Sequence, residues 1–302
     1  MLFSPPPAVQ AEVFTRLPDV LRVHENPIVR SGVARDSLLE GPSFDAQGNL
    51  WCVDMVYGRI FRIDREGRFE VAAKYDGNPN GLKFHADGRI FIADHQRGLL
   101  TLDAVSGRVD TVLAGYGGEP FRGLNDLHFS SSGDLYFTDQ GASGLEGPAG
   151  RVFCLRADGR LDLLLENAPS PNGIVLSVDE KALLVAVTRG NAVWSIPMAL
   201  VAHGRARRVG AFIQLSGGTG PDGLAMSEEG HLLVAHVGMG VVWVFDPVGI
   251  PVLRIDSPKG RGITNMAFGG EDRRTLFITE SASATILRVE LPFAGARLFS
   301  GC

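Results

Sequence analysis

The chain is 302 residues long, 45% hydrophobic and 21% charged, with a formal net charge of −5. That balance argues against nucleic acid or an anionic membrane as a partner, and no apolar run is long enough to span a bilayer. The 38 glycines, with Val, Ile, Leu and Phe recurring between turn residues, favour many short strands over long helices.

At the N-terminus, MLFSPPPAVQAE lacks the positively charged and apolar regions of a signal peptide. The widely spaced cysteines Cys52, Cys154 and Cys302 form no disulfide framework and suggest reduced thiols. Together these features predict a cytoplasmic protein. Residues 9–16 read as a strand that completes the last structural repeat. The segment 17–39 fits no repeat, and is expected either as a loop inserted over one face or as a connector.

From residue 43 onward one unit recurs: a short apolar strand, a turn with Gly or acidic residues, then a second apolar strand. The copies are SFDAQGNLWCVD (43–54), KFHADGRIFIAD (83–94), HFSSSGDLYFTD (128–139), VLSVDEKALLVAV (175–187), AMSEEGHLLVAH (225–236) and AFGGEDRRTLFITE (267–280). Their spacing of roughly 40–50 residues is the period of a four-stranded propeller blade. Further strand candidates lie between them, such as GRIFRID with FEVAAKY and GLLTLDA with RVDTVLAG. Six such sheets set radially cover one another's faces and protect edges that an open array exposes. Open solenoids usually have shorter periods. The predicted fold is an all-β, six-bladed β-propeller with four antiparallel strands per blade. It forms one domain over residues 1–302, its ring closed by N- and C-terminal strands.

Each repeat is preceded by a similar motif: EGPSF (40–44), NGLKF (80–84), NDLHF (125–129), NGIVL (172–176), DGLAM (222–226) and TNMAF (264–268). Aligned, they give one column: Glu40, Asn80, Asn125, Asn172, Asp222, and either Thr264 or Asn265. The first strand of a propeller blade lines the central axis, so these oxygen-bearing side chains are expected to meet there. Turn formation by Asn-Gly and Asp-Gly explains some positions singly, but not Glu40, nor Asn125, which precedes Asp. Two carboxylates with amide oxygens, and no Cys or His, suit one hard divalent cation. Ca²⁺ comes first, with Mg²⁺, Mn²⁺ or Zn²⁺ as alternatives, although a structural zinc site is disfavoured. A second column, Asp54, Asp94, Asp139, Val187, His236 and Glu280, ends the second strands and reads as a polar wall or as strand-terminating turns. His236 is carried as a substrate contact, with a structural histidine as the alternative. GTGPDG (218–223) matches G-x-G-x-x-G, but a strand follows it rather than a helix.

EGPSFDAQGNLWCVD, GLNDLHFSSSGDLYFTDQ, PSPNGIVLSVDE and GPDGLAMSEEGHLLVAH resemble the gluconolactonase/regucalcin (senescence marker protein) superfamily of six-bladed propellers. GLNDLHF is also similar to the motif of diisopropyl fluorophosphatase. The resemblance implies a divalent metal held by Glu40, Asn125, Asn172 and Asp222, and hydrolysis of a small-molecule lactone. On this reading Asp222 serves as general base or nucleophile, and the amide N–H groups of Asn125 and Asn172 orient substrate. Asn80, Thr264 or Asn265, His236 and Arg122 are the candidate substrate contacts. A phosphotriesterase and a non-catalytic calcium-binding propeller are the competing readings. Two departures stand out. Gly123 occupies the place of an Arg in the regucalcin-like pattern, with Arg122 adjacent, and Ala267 replaces the His expected at a second, structural calcium.

Overall fold

A computed structural model describes residues 5–30 and 33–301; Cys302 lies outside them. Its strands follow from the turn chemistry. Asp45 accepts hydrogen bonds from the N–H groups of Gln47 and Asn49 at 3.0 and 2.8 Å, while Gly48 takes the left-handed conformation (φ +80°) that closes the hairpin. Asp64 with Gly67 and Asp246 with Gly249 repeat the arrangement. Local chemistry thus sets where each strand turns back.

Most of the strands assemble into six blades of four antiparallel strands, and three two-stranded hairpins stand apart from them among the described residues. Blade one runs outward through Leu39–Phe44, Leu50–Asp54, Arg59–Ile63 and Phe69–Lys74. The inner strands of the other blades are Pro79–Phe84, Leu124–Phe129, Pro171–Leu176, Gly220–Met226 and Ile263–Gly269. Inner strands are buried over nearly their whole length, while outer strands such as Phe69–Lys74 and Val109–Leu113 are mostly open to solvent.

The apolar interior is divided into layers between blades. Trp51, Val53 and Ile60 of blade one pack on Leu82, Ile92 and Leu100 of blade two. Equivalent clusters fill every other junction, ending with Leu39, Cys52 and Phe61 against Ala267 and Ile286 between blades one and six. The ring is closed by the N-terminus. Glu12–Arg16 pairs antiparallel with Thr285–Glu290 as the outer strand of blade six, and Phe14 meets Phe277 edge-on at 5.2 Å. Ala8–Gln10 adds a parallel fifth strand to blade five.

Segment 17–39 contains a short turn of 3₁₀ helix, Asp19–Leu21, and a hairpin of Ile28–Arg30 with Val33–Arg35. The Tyr57 hydroxyl donates to Arg35 O (2.7 Å) and accepts from Ile28 N (3.1 Å), and Arg22 pairs with Asp36 at 2.7 Å. These bonds hold the segment against the ends of the blade-one second strand and of blade six, where Arg22 donates to Ser283 O. Among the described residues no helix is long and apolar enough to cross a membrane.

Candidate active site at one mouth of the channel

Strand register explains why the column converges. The end of each second strand pairs with the residue just before the column: Leu39 with Asp54, Pro79 with Asp94, Leu124 with Asp139, Pro171 with Val187, Pro221 with His236, and Ile263 with Glu280. In all six blades the ladder is irregular at or beside the next residue. A bulge re-aims a side chain that regular pleating would point into a blade face. The ring so formed is Glu40, Asn80, Asn125, Asn172, Asp222 and Thr264, each between 5 and 9% exposed.

Register therefore makes Thr264 the sixth equivalent of the column. Its hydroxyl, however, is tied to Leu39 O (3.2 Å) and the Thr279 hydroxyl (2.9 Å). Asn265 lies one step down the channel, where four blades have glycine: Gly41, Gly81, Gly173 and Gly223. Those glycines leave room at a narrow waist. A Cβ on Gly41 would lie 2.3 Å from Asn80 O, and one on Gly223 would lie 2.2 Å from Asn265 Oδ1. The two residues of this second ring that carry side chains, Asp126 and Asn265, come from opposite blades and meet across the waist, with Nδ2 of Asn265 3.3 Å from Oδ2 of Asp126.

The two central asparagines are held in one orientation. The Asn125 amide group donates to Gln140 Oε1 at 3.2 Å, and Gln140 in turn donates to Ser170 Oγ at 2.9 Å. The Asn172 amide donates to Thr188 Oγ1 at 3.3 Å, and that hydroxyl donates to Pro221 O, beside Asp222, at 2.8 Å. With one N–H of each held by protein, both amides keep a carbonyl oxygen and a second N–H to offer.

Electrostatics at this mouth are set by burial. Glu40 accepts the Gly41 N–H at 2.8 Å, yet burial, with a contribution from Asp126, pushes its carboxyl up to about 8. Burial also raises the Asp126 carboxyl, against the opposing field of Lys83. An isolated carboxylate is poorly accommodated here, and a cation would restore its charge. Among the described residues no cluster of three or more His, Cys, Asp or Glu occurs. The oxygen set at this mouth is instead two carboxylates, three amides and one hydroxyl.

The second column proves to be a brace. Asp54, Asp139 and Glu280 accept the backbone N–H groups of Leu38, Gly123 and Gly262, each two residues before a ring residue. Asp54 and Asp139 also form buried ion pairs with Arg59 and Arg151. Asp94 takes the Tyr75 hydroxyl at 2.8 Å. His236 is 1% exposed, with Nε2 at 3.0 Å from Gly217 O and Nδ1 accepting from Trp243 at 3.1 Å. Burial lowers its pKa, which favours the neutral imidazole those contacts require. Arg122 is exposed and donates to Ala149 O. At Gly123 (φ +143°) a Cβ would lie 2.4 Å from the His95 ring, so His95 fills the space that a side chain there would take. Sequence patterning missed Gln140, Thr188 and His95, because each follows a second strand rather than opening a first one.

The fold and the family are shared with known proteins. The family described as SMP-30/Gluconolactonase/LRE-like region matches residues 38–282. Lactonase drp35 of Staphylococcus aureus is 32% identical over 234 residues, covering 73% of this chain and 70% of the relative. The gluconolactonase of Zymomonas mobilis is 34% identical over 227 residues, covering 70% of this chain and 62% of the relative. Two solved structures share the fold. A gluconolactonase from Xanthomonas campestris has a TM-score of 0.74 at 22% identity over 96% of this chain and 98% of its own. Regucalcin, a calcium-binding protein from Agrobacterium tumefaciens, has a TM-score of 0.76 at 23% identity over 97% of each chain. With the match running from the first blade into the last, this chain belongs to the SMP-30/gluconolactonase/LRE-like family.

Proposed function

We propose that this chain is a divalent-metal-dependent lactonase whose cation is held by Glu40, Asn125, Asn172 and Asp222. The observation that carries the reading is the tied-back pair of amides, which leaves two carbonyl oxygens beside two carboxylates at one channel mouth. The set is all oxygen, so it fits Ca²⁺ best, with Mg²⁺, Mn²⁺ or Zn²⁺ as alternatives. The lactonase relatives supply the reaction class.

A bound divalent cation would act as a Lewis acid on the lactone carbonyl. Asp222 takes the proton of the attacking water as its oxygen adds to the carbonyl carbon. The ring C–O bond then breaks, and the leaving alkoxide takes the proton held by Asp222, giving the hydroxy acid and restoring the carboxylate. Direct attack by the Asp222 carboxylate is the second route through the same residue. Asn80 and Asn265 contact substrate from the ring and the waist, and Arg122 contacts it from the rim. His236, whose nitrogens are both engaged, supports the wall behind the ring. The two buried free thiols, Cys52 and Cys154, support a reducing, cytoplasmic setting, with a small molecule as partner.

Metal content and a lactone panel test the proposal together. Activity should vanish with EDTA and return with Ca²⁺. Asp222→Asn should retain metal and lose at least about a hundredfold in kcat, the usual scale for a general base. Full activity in that variant would overturn the assignment. Turnover of an organophosphate but of no lactone would favour a phosphotriesterase, and no turnover at all a calcium-binding propeller.

A further inference from the structure

The channel has a second mouth. Beyond the waist, the inner strands present a third set of equivalent residues: Ser43, Lys83, His128, Val175, Ala225 and Ala267. All six line a cavity of about 730 Å³ on the face opposite Glu40 and Asp222. That volume lies within the range of small-molecule sites. Its walls are mixed, with an apolar part formed by Phe129, Leu176, Leu224, Met226, Met266 and Phe268 and a charged rim that includes Arg273 and Arg297. The C-terminal tail forms one side through residues 296–299, and Phe299 packs edge-on against His85 at 4.9 Å.

The charges around this cavity are unevenly satisfied. Glu228 pairs with Arg273 at 3.2 Å and Asp179 with Lys181 at 3.0 Å, while Glu180 accepts the Ser131 N–H at 2.6 Å. The ammonium of Lys83, half-buried on the inner strand of blade two, has no hydrogen bond or ion pair among the described residues. Asp126 feels its charge from the waist without an ion pair forming between them. His128, its neighbour on the ring, is pushed down to about 3 by burial and the Lys83 charge, so it is neutral and adds no second cation. A partly desolvated ammonium beside an apolar wall favours an anionic partner. At the inner-strand end of the cavity the cation is Lys83, with the Asp126 carboxyl behind it at the waist, which suits a monoanion rather than a phosphate dianion. Of the arginines in the lining, Arg273 is held by Glu228 and Arg297 stands on the tail side.

We propose that this far mouth binds a small organic carboxylate with an apolar body. The carboxylate lies on Lys83, and the body packs on Val175, Leu176, Leu224 and Met226. The site is separate from the proposed lactonase centre and rests on none of its chemistry.

Calorimetry on the full chain with octanoate, 1-octanol and octyl phosphate tests it. Octanoate should bind one to one, and octanol at least tenfold more weakly. Octyl phosphate should not exceed octanoate. Lys83→Met should abolish the preference for octanoate over octanol, and Asp222→Asn should leave octanoate binding unchanged. A Leu298→Trp reporter on the tail should shift its emission when octanoate binds. The proposal fails if octanoate and octanol bind equally, or if Lys83→Met binds like the parent. It also fails if Asp222→Asn abolishes binding or the emission of the tail reporter does not respond, since the ligand then sits elsewhere.

Discussion

At the scale of single residues, Glu40 couples burial to acidity. Its carboxyl titrates near 8 in the folded chain against an ordinary value of 4.5, so between those limits the unfolded chain carries the charge more readily. Stability linked to Glu40 is therefore fully present below about 4.5 and is lost as pH rises through about 8. In EDTA, the urea midpoint of the native chain should fall relative to that of Glu40→Gln between pH 5 and pH 8; parallel profiles would contradict this. The amide tethers act through their partners. Gln140→Ala and Thr188→Ala should each weaken metal binding about 10–100-fold, the usual effect of removing a group that orients a ligand. Melting temperatures close to the parent should accompany that loss, because neither side chain belongs to an apolar cluster. Metal affinity unchanged in both variants would show that the amides hold their orientation unaided.

At the scale of elements, the inner strand is the critical part. Its glycines are required by proximity: Gly41 has φ +53° and a virtual Cβ 2.3 Å from Asn80 O. Gly41→Ala should cost more than about 2 kcal/mol, since neither backbone can move without shifting a ring residue. Gly88→Ala is the control. It shares a positive φ of +89° but has no atom within 4 Å, so it should cost only the conformational penalty of about 1–2 kcal/mol. Chemical denaturation of the two variants distinguishes contact from torsion.

The blades were legible because their turn chemistry is local. Asp and Gly announce each hairpin, and apolar pairs of strands flank it. The ring residues were legible because one position repeats in every blade. The bulges were not, since each depends on strand pairing that no short segment encodes. For the same reason the alternative between Thr264 and Asn265 stayed open in the sequence. The bulge in blade six pairs Asn265 with Thr279 and leaves Thr264 as the ring residue. Gln140 and Thr188 escaped notice because their importance comes from what they touch, not from a motif. Lys83 and His128 sit inside recognised repeats, but nothing in the repeat says which mouth they face.

At the scale of the whole molecule, stability is spread over six junctions rather than one core. Each blade is covered only while both neighbours are in place, so partial opening exposes two apolar faces at once. Calorimetry should show one cooperative transition for the intact chain. Removal of residues 1–17 takes the outer strand from blade six and the added strand from blade five. That truncation should leave the sheet edges bare and yield aggregated or markedly less stable protein. Unaltered melting after truncation would mean that the apolar junctions hold the ring shut alone.

The N-terminal closing strand also imposes an order in time. Glu12 and Arg288, which bond at 2.7 Å, are 276 residues apart. At a synthesis rate of about 5–20 residues per second, the first strand leaves the ribosome roughly 15–55 s before its partner exists. Throughout that interval it must stay unpaired and soluble. Its exposed Glu12 and Arg16 suit a segment kept waiting in water until the last blade arrives.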